Sequence, residues 1–543
     1  MPSFLVHTSI AVAVVAVSKV FWPAKLGMIA STIVFASAIF YSILANVVFN
    51  CYVYPEISPL RHIPLVHQPP LSETFFSDGR LPWFSRRVPN KGLLRGYGLL
   101  HDEYLVATTI DTVKELLVDR AYDWVKPAAQ MELLKMIIGN GLVSLEGEPH
   151  RRARKLLQPS FTSQHVHDLY PLFWEKARCL VDALQGKISA KHSHIVNIHD
   201  WIGRATLDVI GTAGLGLEFN AIETPDSPIA TSYRARYGER PSGATRLFLR
   251  FVPIWFAKKF PTKRLKEVLT TNATIKSHLR VILEEKRVLL KRKALNDRDI
   301  FSVMIGAGSM DDVELIDHAT TLIAAGQDTT AFVLSCLLFE VSQRPELQRK
   351  IRLEIEAEID LSLDVAPTPA QIKKLPLLEA VILETLRLYP AIDCTPRVCL
   401  KTNTPTLIAG EKIPKGMTII IPLRDISRLK ENWTNSPYDP EAWCPERWLN
   451  YDKRPGTTVT VTDGGATDSW SFMAFSRGAK NCIGEKFARA EMALLLIKLL
   501  SHFELKLCGE GGVGQPAGSL DVFYTFTGAI SRGVWVSLEK VGA

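Results

Sequence analysis

The stretch Phe475–Glu491, FSRGAKNCIGEKFARAE, sets one thiol, Cys482, in a short loop between Gly478 and Gly484, with Lys480 two residues before it. A free cysteine ordinarily serves as a small buried hydrophobe. This setting offers a second fate, that of a ligand thiolate bound to iron. The thiolate is the metal-binding form, and it needs positive or dipolar surroundings to remain deprotonated. Glycines at 478 and 484 let the backbone turn tightly and bring amide N–H groups close to the sulfur. The helix-forming run from Glu485 onward turns its N-terminal dipole toward it, and Phe475 is placed to cover it.

Other pairs have spacings that suit chemistry. In AGQDTT, Ala325–Thr330, Asp328 and Thr329 are an acid and an alcohol in an otherwise apolar segment, a pair able to relay protons. A threonine inside a helix also commonly bonds back to its own backbone. Gly326 would let a ligand approach the helix closely. In ETLR, the i, i+3 spacing puts Glu384 and Arg387 on one helix face. In EGEPHRRAR, the i, i+4 spacing does the same for His150 and Arg154.

Together these motifs, in this order, resemble those of the cytochromes P-450, the haem-thiolate monooxygenases. Phe475-x-x-Gly478-x-Lys480-x-Cys482-x-Gly484 is similar to the family's haem-binding signature, with Lys480 where the family has Arg. The resemblance implies that Cys482 is the axial ligand of haem iron, where thiolate electron density favours O–O cleavage. It implies that Lys480, Arg397, His150 and Arg154 face the haem propionates, with His150 in the place of the family's Trp. A lysine keeps the charge but loses the planar fork. Asp328 and Thr329 become the oxygen-activating pair. Glu384, Arg387 and the Arg447 of PERW become a buried structural cluster that locks the cysteine loop. The implied fold is mainly α with a small β region. The cofactor is haem b, and dioxygen and NADPH-derived electrons are the co-substrates. The electrons come through a separate NADPH–cytochrome reductase, with cytochrome b5 as an optional second donor, since the chain shows no Gly-rich nucleotide fingerprint of its own. Arg151, Arg152 and Lys155 are candidates for docking an acidic reductase face. Arg204–Asn220 resembles a stretch common in filamentous-fungal members, which often oxidise terpenoids or polyketides.

The elements that position these residues are mostly helical. Asp311 with Glu314 forms a capping-box pattern that opens a long apolar helix running to Gln343, before Pro345. A second helix runs from near Pro376 to Pro390. Met417–Ile421 and Val534–Leu538 are β-branched runs that suggest a minor sheet. The expected pocket lining is Tyr122–Leu142, the region around Phe248–Phe256, Ile316–Ala325 and Ala391–Thr395, all encoding shape rather than substrate identity.

Length and composition set the frame. The chain has 543 residues, of which 47% are hydrophobic, and a formal net charge of +8. That supports a large core in one domain and argues for no nucleic-acid partner. Its eight cysteines form no CxxC pair, so the reading is free thiols in a reducing compartment. Leu26–Phe49 contains no charged residue and is long enough to span a bilayer. The expected organisation is a membrane anchor over residues 1–50, with one or two hydrophobic segments, of which 26–49 is the best span and Phe4–Phe21 the other. A stiff proline-rich connector follows over 51–70 and a haem-thiolate catalytic domain over 71–543. Lys19 and Lys25 compete with Arg61, Arg80, Arg86 and Arg87 under the positive-inside rule, and the larger downstream cluster favours a cytosolic domain at the endoplasmic reticulum membrane. Arg246–Arg264 mixes aromatics with cations and suits a membrane interface. Asn272-Ala-Thr and Asn432-Trp-Thr match the glycosylation sequon, which a cytosolic domain leaves bare.

The resemblance thus implies a membrane-bound enzyme that oxidises a lipophilic small molecule in fungal secondary metabolism. The alternatives are a reductase-independent haem-thiolate enzyme that rearranges peroxides, against which Asp328–Thr329 argues, a fatty-acid or xenobiotic hydroxylase, and a haem sensor or carrier without turnover.

Overall fold

The computed structural model describes residues 12–16, 28–66, 88–98, 103–191, 194–226, 231, 259, 261–292, 299–400, 406–450, 459–513 and 518–541. They form two compact units, Met1–Val113 with Glu239–Glu267 and Pro396–Ile421, and Lys114–Gly238 with Val268–Thr395 and Pro422–Ala543. The structure is mainly helical with small sheets.

In the first unit, Met28–Val48 is a helix of 21 residues, with Ile33, Phe40, Tyr41 and Leu44 exposed. Most of Phe4–Phe21 and of Arg246–Arg264 lies outside the described residues, as do Phe248–Phe256, Lys19, Lys25, Arg80, Arg86 and Arg87. The proline-rich stretch begins differently from an extended spacer. Tyr54–Ile57 is helical, and Ser58, Leu60, Ile63 and Val66 are buried. Backbone bonds from Val66 N–H to Arg95 O (2.7 Å) and from Arg95 N–H to Pro64 O (2.9 Å) seat it on a strand. Burial of three apolar side chains outweighs the extended preference of the prolines. That strand, Leu93–Tyr97, pairs antiparallel with Glu103–Ala107. Glu103–Ala107 pairs in parallel with Thr418–Ile421, the strand foreshadowed by Met417–Ile421, and Thr395–Cys399 lies beside Thr418–Ile421.

The second unit is built on helices Tyr170–Lys191, Ile198–Val209, Asp312–Ser342, Pro376–Leu388 and Glu485–His502, which share one large apolar core. A three-stranded antiparallel sheet, Phe503–Leu507, Trp535–Lys540 and Ile195–Asn197, closes one part of it. The Asp312–Ser342 helix carries the expected capping box. Glu314 N–H donates to Asp311 Oδ1 (2.8 Å) and Asp311 N–H donates to Glu314 Oε2 (3.3 Å). Among the described residues it alone is long and apolar enough to cross a bilayer, and it is mostly buried in the protein. A helix apolar on nearly every face belongs in an interior.

Gly326 on this helix has a specific reason. A Cβ there would lie 2.8 Å from Ile210 Cδ1, so the glycine lets the Ile210 segment pack against the helix. Both sequon asparagines are buried. Asn272 Nδ2 donates to Met136 O (2.7 Å) and Asn432 Nδ2 donates to Ile426 O (2.8 Å).

Candidate haem-thiolate site

The loop that carries Cys482 is fixed by its own backbone. Cys482 N–H donates to Phe475 O (2.9 Å), Asn481 N–H to Gly478 O (3.2 Å) and Ser476 N–H to Met473 O (2.9 Å). Two residues take left-handed backbone, Ser476 at φ 57° and Gly478 at φ 79°. Gly478 is required twice over, because a Cβ there would also meet Leu117 O at 2.1 Å. Gly484 is different. A Cβ there would touch only Phe161 and the Cys482 sulfur, at 3.8 and 3.9 Å. Gly484 is the N-cap of the Glu485–His502 helix, and its backbone N–H pulls the cysteine pKa down. Phe475 is half-buried and packs against the large core.

Cys482 is exposed, and on the long helix Ala325 is likewise exposed between buried Ala324 and Gln327. Burial is nevertheless the largest influence on the thiol, and it pushes the pKa up, against the Gly484 N–H and Arg154, which pull it down. A thiol that coordinates a metal ion is deprotonated outright. No group of three or more His, Cys, Asp or Glu suited to a metal occurs among the described residues.

Helix Pro376–Leu388 supplies the support. The Glu384 carboxylate takes both ends of the Arg387 fork, Nε (2.8 Å) and Nη2 (2.7 Å), with both side chains wholly buried. Arg447 Nε lies 3.5 Å from Glu384 Oε1. Trp448 Nε1 (3.0 Å) and the Cys444 N–H (2.9 Å) also donate to Glu384, two partners that the sequence did not single out. The linkage to the cysteine loop runs through Ser427. Its carbonyl accepts from Arg387 Nη1 (3.0 Å), and its hydroxyl accepts from the Met473 N–H (3.2 Å). Arg387 thus reaches the loop through one serine.

A second group gathers Tyr122, Lys126, Glu146, His150, Arg154 and Lys480. His150 is 3% exposed, with Nδ1 3.2 Å from Tyr122 Oη. Burial first, then Lys126 and Lys480, push its imidazole down to about 4, so it is neutral at working pH. Arg154 donates to the Asn481 carbonyl and, at 2.6 Å, to Asn481 Oδ1, next to the cysteine. Lys480 is ion-paired with Glu146. This concentration of cations suits a cofactor that carries carboxylates. Arg397 lies buried on the Thr395–Cys399 strand, with Nη1 donating to Pro396 O (2.9 Å). Of the proposed docking cations, Arg151 pairs with Glu148 and stacks on the Tyr122 ring (3.9 Å), Arg152 pairs with Glu314 (2.7 Å), and Lys155 is exposed.

On the long helix, Asp328 and Thr329 are half-buried. Thr329 Oγ1 donates to Ala325 O (2.6 Å), the back-bond common for helical threonine. At the adjoining residue, Thr330, buried Glu491 of the Glu485–His502 helix lies close, and burial raises its carboxyl well above the ordinary range; nothing in the sequence pattern marked it. Met131, Leu134, Ile138 and Ala324 form an apolar patch with Ile137 and Phe526. Thr321 Oγ1, donating to Ile138 O (2.8 Å), ties that patch to the long helix.

Cys482 thus lies beside Arg154 on a loop tied through Ser427 to a buried Glu–Arg–Arg cluster, on a mainly helical scaffold. The Cytochrome P450 family model matches residues 92–522. The chain is 30% identical over 486 residues to cytochrome P450 monooxygenase sphH of Aspergillus fumigatus, covering 86% of each chain. It is 29% identical over 519 residues to cytochrome P450 monooxygenase FSL4 of Gibberella zeae, covering 90% of each, and 28% identical to cytochrome P450 monooxygenase buaD of Petromyces alliaceus, covering 83% of each. The chain belongs to the cytochrome P450 family of monooxygenases, and so to the oxidoreductases.

Proposed function

We propose that this chain is a membrane-anchored haem-thiolate monooxygenase that hydroxylates or otherwise oxidises a lipophilic small molecule in fungal secondary metabolism, of terpenoid or polyketide type. Dioxygen is the co-substrate, and electrons come from NADPH through a separate reductase. The anchor lies within residues 1–50, with 26–49 as its best span, and the catalytic part faces the cytosol from the endoplasmic reticulum. The observation that carries the reading is the exposed Cys482 thiol, in a loop locked by the Glu384 cluster.

Haem b, held by Cys482, would supply dioxygen binding and its reductive activation. The protein's own residues do the rest. Gly478 permits the turn that presents Cys482, the Gly484 N–H would favour its thiolate, and Phe475 would cover the sulfur. His150, Arg154 and Lys480 would hold the carboxylates. Thr329 Oγ and the Asp328 carboxyl hold and move protons beside Ala325. The patch of Met131, Leu134, Ile138, Ala324 and Phe526 excludes water and packs the substrate.

Expression with NADPH–cytochrome reductase tests this. Reduced protein with carbon monoxide should show the red-shifted Soret band of thiolate-ligated haem, lost in Cys482→Ala, and product should form only with NADPH and reductase. A band that survives in Cys482→Ala overturns the ligand. Rapid turnover of a hydroperoxide without NADPH favours the rearrangement reading instead.

A further inference from the structure

Lys480 does not wait with an open ammonium. Its side chain is 4% exposed. Nζ is ion-paired with Glu146 Oε2 and donates to the Trp124 carbonyl at 3.1 Å, and it lies 5.2 Å from the centre of the Tyr122 ring. Glu146 is held from another side as well. Its Oε1 accepts the Lys126 backbone N–H at 3.0 Å and lies 3.3 Å from Lys126 Nζ. It is also the N-cap residue of the Gly147–Leu157 helix, which carries His150 and Arg154. The carboxylate is therefore fixed whether or not Lys480 is present. Lys126 and Lys480 outweigh its burial and hold its pKa below the ordinary range, so it is an anion at working pH.

We propose that Glu146 is a positioning residue that sets how tightly Lys480 grips a haem carboxylate. This rests on the reading of Cys482 as the haem ligand. An ammonium is a single point charge, so any further carboxylate has to share it with Glu146. Glu146 aims the long, flexible lysine and at the same time neutralises part of its charge. The grip is weaker than that of an unshared cation, and haem leaves more readily. Removing the Glu146 charge should tighten retention, whereas loss of a merely structural residue can only loosen it.

The test is transfer of haem from the loaded protein to excess apomyoglobin, followed at the Soret band. Glu146→Gln keeps the side chain's shape and its acceptor for the Lys126 N–H. It should slow transfer by about three- to tenfold, the size of one charge-assisted contact. Lys480→Met should speed transfer, and Glu146→Gln added to Lys480→Met should change nothing more. The proposal is overturned if Glu146→Gln transfers haem at the wild-type rate or faster, or if it slows transfer equally without Lys480. Should Glu146→Gln not fold, Lys480→Arg tests the same point. A guanidinium fork can serve two carboxylates, so transfer should slow, and an unchanged or faster rate overturns the proposal. A wild-type protein that takes up no haem and shows no carbon monoxide band refutes the haem reading itself. A loaded protein with the wrong Glu146→Gln response refutes only the role of Glu146.

Discussion

Alanine at the two glycines flanking Cys482 should have unequal effects. At Gly478 the backbone is left-handed, φ 79°, which costs an L-residue about 1–2 kcal/mol. The new Cβ would also lie 2.1 Å from Leu117 O. That neighbour is backbone, so relief requires moving the chain, and overpacking of this kind costs about 1–3 kcal/mol. Together Gly478→Ala should destabilise by about 2–5 kcal/mol. At Gly484, φ is −89° and the new Cβ makes only van der Waals contacts at 3.8 and 3.9 Å. As an N-cap substitution, Gly484→Ala should cost under about 1 kcal/mol. Urea unfolding by far-UV circular dichroism gives the stabilities, and Soret absorbance in the same titration reports the loop. Equal losses at the two positions, or a Gly478→Ala cost below about 1 kcal/mol, would refute the reasoning.

His150, neutral with a pKa of about 4 in the folded protein, takes its proton in the unfolded chain first, near the ordinary 6.5. Stability should therefore fall as pH drops from 6.5 toward 4, by up to about 3 kcal/mol from this residue, and denaturation of His150→Gln should show a flatter acid limb. Glu384→Gln should strand two buried guanidiniums and cost about 3–5 kcal/mol, seen as loss of folded, haem-loaded protein on expression. Thr329→Ala should keep haem and substrate binding while product per NADPH falls and hydrogen peroxide rises to match; unchanged coupling would assign the proton relay to other groups. Deleting residues 1–50 should release protein from the membrane fraction after a high-salt wash, and full retention would move the anchor elsewhere.

What the sequence revealed were features whose physics is local. The Asp311–Glu314 box is four residues long, and it opens the long helix as its spacing indicates. Pro376 and Pro390 bracket a helix because proline tolerates only the first turn. The Cys482 loop announces itself through glycines, one of which has the left-handed backbone. Contacts between distant segments were not legible. Nothing about Ser427 marks it as the link between Arg387 and Met473, since a serine is an ordinary residue until two partners meet on it. Glu146 lies 334 residues from Lys480, and only folding makes them neighbours. Gly326 is a motif residue whose contact with Ile210 only the fold reveals. In Tyr54–Pro70 the prolines drew attention to stiffness, while Leu60, Ile63 and Val66, three residues apart, carried the packing.

The buried asparagines change what a sugar on this chain would mean. Asn272 and Asn432 each spend the amide nitrogen that a glycosyltransferase must reach on a carbonyl of the folded interior. A finished domain presents neither nitrogen, on whichever side of a membrane it stands. A bare sequon is then silent about orientation. A glycan found at either position would mark a molecule modified while still unfolded, and one whose interior could no longer close around that site. Sidedness is better read from a reporter joined to an exposed residue, and the carbohydrate from these two sites is better read as a record of folding failure.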